Sequence, residues 1–127
     1  MAGFVAPDRI EALDFSFKPW LDVSGTVPEP SEATVLAYHR AYLAQLGLEP
    51  GATPEDRRKK LAELEASPVE EQIAHVARLR EVVAQACGGC PTREQVDALP
   101  FRVVRVFATW LLDEFTNPKP PSAATSA

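Results

Sequence analysis

The chain has 127 residues, a formal net charge of −5, and 46% hydrophobic against 24% charged residues. A length of this order suggests one domain with a modest core, and the composition is not that of a disordered polymer. The acidic total argues against a general nucleic-acid binder, which needs a basic face, and favours partners that are not polyanions.

The opening "MAGFVAPDRI" lacks a basic segment followed by an apolar one, so it does not read as a secretory signal. No apolar run approaches the roughly 20 residues that span a bilayer. The expectation is therefore a cytoplasmic protein with no membrane partner. Residues 1–30 are proline-rich and show no helical period. Within them "LDFSFK" alternates, with Leu13, Phe15 and Phe17 on one side and Asp14, Ser16 and Lys18 on the other. Period two predicts an extended segment. "VSGTV" could turn, but little strand-like sequence comes after it to pair. The reading is an extended arm whose Phe15, Phe17 and Trp20 dock onto helices.

Residues 31–116 read as a helical domain. Ser31 after Pro30 caps a first helix, and Glu32 suits its positive end. Val35, Tyr38, Tyr42 and Leu46 recur at helical spacing, widened by Leu36 and Leu43, until Gly47 offers a left-handed stop. "TPED" starts a second helix, with Thr53 as cap and Pro54 at its first position. Leu61 and Leu64 are its only large apolar residues, so it should be mostly solvated and mobile. "SPVEE" starts a third, with Ser67 and Glu70 as a capping box. Val69, Ile73, Val76 and Val83 then form one face beside Leu79, Val82 and Ala86, and "CGGC" ends the helix. Thr92 and Gln95 predict a second capping box on a short helix with Val96 and Leu99 inward. Pro100 marks a break or the first turn of the last helix.

"DALPFRVVRVFATWLLDEF" is the most hydrophobic stretch, and its valines suit a strand as well as a helix. Arg102, Arg105, Thr109 and Asp113 settle the ambiguity. A strand would put Arg102 and Arg105 on opposite faces, whereas a helix gathers all four on one stripe. A helix leaves Phe101, Val104, Phe107, Trp110, Leu111 and Phe115, with Val103, Val106 and Leu112, around most of the circumference. Such a helix is central to a core or shared with a partner. Residues 117–127, rich in Pro, Ser and Ala, read as a disordered tail. The fold class expected is all-α: four or five bundled helices between an extended arm and a loose tail.

No residue set demands catalysis or a cofactor. Cys87 and Cys90 form a Cys-x-x-Cys pair, but it comes after a helix instead of starting one, which is unlike an activated thiol. Zinc would need two more ligands, and His39 and His75 both lie on amphipathic helices. "RRKK" at 57–60 is flanked by acids, the pattern of a solvated face. Residues 92–115 resemble a helix-turn-helix in outline, yet a reading helix should offer polar groups to base edges, and this one is apolar.

Two stretches, "ALDFSFKPWLDVSGTVPEPSEATVLAYHRAY" and "CGGCPTREQVDALPFRVVRVFATWLLDEFTNP", resemble the opening and the ending of short tail assembly chaperones of long-tailed bacteriophages. The resemblance covers about half of the chain and includes no catalytic motif. It implies a non-catalytic protein of the host bacterial cytoplasm, absent from the mature virion. Such a protein coats the helical tape-measure protein until tail tube protein displaces it. It also implies a longer product of the same gene, made by ribosomal frameshifting, and is compatible with a homo-oligomer. The partner-binding residues expected are Phe101, Val104, Phe107, Trp110, Leu111 and Phe115. The rival readings are a small helical DNA-binding or regulatory protein and a structural head–tail virion component.

Overall fold

The computed structural model describes residues 13–116. It is mostly helical, with five helices and a two-stranded sheet. The expected tail and the first residues of the expected arm lie outside the described residues.

The arm differs from expectation in having a pairing partner. Strand β1 (Leu13–Ser16) runs antiparallel to β2 (Ser24–Val27), with Phe15 opposite Gly25. Thr26 and Val27 suit a strand; Ser24 and Gly25 do not, which disguised it. Gly25 is required by close approach: a Cβ there would sit 3.2 Å from Cys90 Sγ and 3.4 Å from the Phe15 ring. The chain thus packs the hairpin onto the Cys-Gly-Gly-Cys turn. Phe15 and Phe17 enter the core as expected, and both rings meet Phe107, at 6.1 and 5.1 Å between centroids. Trp20 does not dock; it is 62% exposed in the turn between the strands.

Helix α1 (Glu32–Gln45) begins where Ser31 Oγ accepts from the Thr34 amide. It buries Tyr38, Tyr42 and Leu43. The central helix is α3 (Val69–Cys87), which packs against α1, the short α4 (Arg93–Asp97) and α5 (Phe101–Thr116). Val76, Leu79, Val83, Val104, Leu111 and Leu112 fill the space between them. Two phenols tie α1 to α5: Tyr38 donates to the Ala108 carbonyl at 2.7 Å, and Tyr42 meets Thr109 Oγ1 at 2.8 Å. Arg80 on α3 donates to the carbonyls of Val96 and Leu99 at 2.6 and 3.0 Å, satisfying the open end of α4.

Two details of α3 depart from the expected pattern. Ser67 does not cap it: its hydroxyl donates to the Leu64 carbonyl, and no side chain caps the helix start. Its inward face is also rotated. Val69 and Ile73 are exposed, while Gln72 and His75 are buried. Gln72 is what turns the helix this way: its amide nitrogen donates to the carbonyls of Glu65 and Ser67, at 3.1 and 2.9 Å, closing the corner before α3. The other expected ends hold. Gly88 ends α3 with φ of 65°, and Thr92 and Gln95 cap α4 reciprocally.

Helix α2 (Pro54–Glu65) is of a different kind. Thr53 and Asp56 form a full capping box at its start, yet the helix buries no residue. Its contacts with the rest of the fold are few and lie mainly on α3.

Candidate partner-binding surface

Helix α5 is where the sequence placed a shared apolar face, and the structure divides that face. Val104 and Leu111 have no exposure, and Phe107 and Phe115 are buried with them. These four of the six expected partner-binding residues are core side chains, so the expectation that they face a partner is corrected. Together with Ala108 and Leu112 they form one arc that α1, α3 and the hairpin cover. The small interior absorbs more of this helix than its composition suggested. Phe101 and Trp110 remain half-buried.

What stays open is a narrower strip. Val103, Val106 and Trp110 recur three and four residues apart and so share one edge of α5. Val106 is 69% exposed, and Val103 and Trp110 are half-buried. Trp110 stacks on Phe107 at 5.6 Å with 26° between planes, so its ring is held while the residue stays partly exposed. Phe101 begins the same helix with the Arg102 guanidinium 5.6 Å from its ring centroid. The turn carrying exposed Trp20 is anchored by Phe17 against the same Phe107. A second apolar spot, Val69 with Ile73, lies one helical turn apart on α3. The helical period predicted the strip's helix; only its packing shows which residues remain outside, and Val106, absent from the expected partner-binding set, is one of them.

The polar stripe of α5 has a structural task. Arg105 reaches the Gln72 side chain at 3.3 Å and Glu65 at 3.9 Å, Asp113 pairs with Arg57 at 3.3 Å, and Thr109 meets Tyr42. The stripe is the seam between α5 and its neighbours α2, α3 and α1. Of the "RRKK" run, Arg57 is thereby engaged, Lys60 pairs with Glu63 at 3.6 Å, and Arg58 and Lys59 are exposed.

The cysteine pair is not poised for thiol chemistry. Cys87 is fully buried, and burial, with the Cys90 sulfur nearby, pushes its pKa up to about 12. A thiol so held stays protonated, whereas nucleophilic and metal-binding cysteines are thiolates. Among the described residues no group of three or more His, Cys, Asp and Glu is arranged to hold a metal ion. No helix among them is long and apolar enough to cross a membrane.

One cleft of about 240 Å³ lies where α1, α2 and α3 meet, lined by Gln45, Leu46, Lys60, Glu63, Leu64, Ser67, Glu71 and His75. His75 is buried, and its pKa is lowered first by burial and then by the positive charges of Arg78 and Arg105; the Gln45 carbonyl opposes the shift. Sequence reasoning missed this site because His75 and Gln72 occupy a face that apolar spacing assigned to valines.

Comparison with protein-family models, curated proteins and solved structures finds no match to the chain.

Proposed function

We propose that this protein is a non-catalytic tail assembly chaperone of a long-tailed bacteriophage. It holds apolar helix surface of the tape-measure protein in the host cytoplasm until tube subunits displace it, and is then left out of the virion. The observation that carries the reading is the open edge of α5 formed by Val103, Val106 and Trp110. It lies within the stretch that resembles those chaperones. A strip of this shape accepts the apolar face of another helix, in the manner of helix-in-groove recognition. A stacked tryptophan at its edge is the kind of rigid anchor on which interfaces concentrate their energy. Weak, repeated contacts suit a protein that coats a long helix in many copies and must later leave. Homo-oligomers and the longer frameshift product would join that coat.

The same geometry weighs against DNA reading. Arg105, one of the two arginines near the start of α5, is committed to Glu65 and Gln72.

Co-expression with an aggregation-prone tape-measure fragment tests the proposal. The chaperone should shift the fragment into the soluble fraction, and Val106→Asp should abolish the shift without unfolding the chain. A fragment that stays insoluble with the unmodified protein defeats the reading; retention of the protein in purified particles, or a salt-sensitive gel shift, would support its rivals.

A further inference from the structure

Helix α5 carries its charges in the unfavourable order. Arg102 and Arg105 stand near its start and Asp113 and Glu114 near its end, with no acid in the first turn and no base in the last. The dipole of a helix favours the reverse. Part of this order is answered within the fold: Arg105 meets Glu65 and Asp113 meets Arg57, so α2 runs antiparallel to α5. Arg102 is not answered. It is exposed beside the Phe101 ring and has no ion-pair partner among the described residues, while Asp113 stays 55% exposed in its own pair. Arg102 and Asp113 are close to three full turns apart and so lie on one line of the helix. That line flanks the open strip of Val103, Val106 and Trp110. The strip is centred between residues 106 and 107 and the charge pair between 107 and 108, a difference of about 1.5 Å along the axis. Apolar and charged patterns thus share one centre, and a surface built that way complements itself when turned end for end.

We infer that this face of α5 is an interface for a second copy of the chain, packed antiparallel about a two-fold axis near Val106. Val106 meets its own counterpart, Val103 faces Trp110 of the second copy, and Arg102 reaches Asp113 of the second copy along the same flank. Symmetry makes each of the last two contacts twice. The second copy also brings its acidic helix end to the basic end of the first, which offsets the order that the dipole disfavours. Three apolar side chains and two ion pairs fall below the roughly 1,200 Å² of a stable interface, so the dimer is weak and exchanges readily. It covers the strip in the absence of any other partner and yields it to one that binds better. The inference does not rest on the chaperone reading, because the self-complementarity belongs to α5 alone.

Sedimentation equilibrium of the full chain, from about 10 μM to about 1 mM, tests it. The protein should pass from monomer to dimer, and Val106→Asp should hold it monomeric throughout. Arg102→Asp sets two acidic pairs across the interface and Asp113→Arg two basic pairs, and each should weaken the dimer on the order of tenfold. An equimolar mixture of those two variants should associate again, because each copy then supplies the charge that the other opposes. All three substituted side chains are exposed, so circular dichroism should match the parent. The inference is overturned if the parent is monomeric at every concentration, if its dimer survives Val106→Asp, or if the mixture associates no better than its components. Arg102→Asp leaves the apolar strip intact and should still solubilise the tape-measure fragment, so loss of the dimer and loss of client binding are separate results.

Discussion

Helices α5 and α2 are of similar length, 16 and 12 residues, and are held in the fold by different physics. Helix α5 buries six side chains and would be pinned in place with no cap at all. Helix α2 buries none, and what defines it is local: Thr53 and Asp56 satisfying each other's amides, Pro54 in the first turn, and two ion pairs to α5. One helix belongs to the core and is set by packing; the other is a capped helix resting on it. Elements of the second kind open most readily, because local opening costs only the contacts actually made. The same small fold thus holds a rigid helix and a loosely held one side by side.

The largest expected effect breaks the α5 side of the comparison. Leu111 is fully enclosed, so Leu111→Ala should cost about 2–5 kcal/mol, measured as the loss of unfolding free energy in denaturant. That is a large part of a typical domain's stability of about 5–15 kcal/mol. Val106→Ala, one edge away on the same helix, should change stability by no more than about 0.5 kcal/mol. Equal effects at the two positions would mean that α5 is not divided into a core arc and an open strip.

The α2 side should respond differently. Thr53→Ala removes the hydroxyl that accepts from the Asp56 amide at 3.2 Å. The expected cost is about 1 kcal/mol, confined to this helix. Native-state hydrogen exchange should show α2 amides exchanging roughly five times faster, while those of α3 and α5 keep their protection. A matching fall in global stability would show that α2 unfolds with the core and is not a separate unit.

How far the sequence could be read tracks the same division. The helical identity of α5 was legible because Arg102, Arg105, Thr109 and Asp113 fall on one stripe, and the solvated character of α2 because it has only two leucines. The caps at Ser31, Thr53 and Thr92 were legible because capping is local chemistry, but the box expected at Ser67 did not form, because its hydroxyl turns back to the Leu64 carbonyl. The other features that escaped depend on contacts outside the local pattern. Strand β2 escaped because Ser24 and Gly25 carry no strand signal; Gly25 is small in order to fit against Cys90 and Phe15. The rotation of α3 escaped because Gln72 exchanges an apolar neighbour for the carbonyls of Glu65 and Ser67, which spacing does not reveal. The division of the candidate partner residues on α5 escaped because period shows which residues share a face, and only the arrangement of neighbours shows how much of it they cover.

The smallest expected effect joins the two regions at His75. Its pKa lies below the ordinary 6.5 because it is buried and faces the charges of Arg78 and Arg105. Above 6.5 the imidazole is neutral in folded and unfolded chains alike, and folding loses nothing. As pH falls below that value the unfolded chain takes up the proton first, so stability declines and levels off once the folded protein is protonated too. Denaturant midpoints should therefore drop as the pH falls below about 6.5, the unfolded value, and drop less in His75→Gln. Lys60, Glu63 and Glu71 share the cleft and are present in both proteins, so the difference between the two curves isolates the histidine. The effect should also shrink in the Thr53→Ala protein, because a looser α2 admits water to the cleft and relieves the burial that depresses the pKa. Parallel curves for the parent and the histidine variant would show that the cleft is already wet, and that α2 shields nothing beneath it.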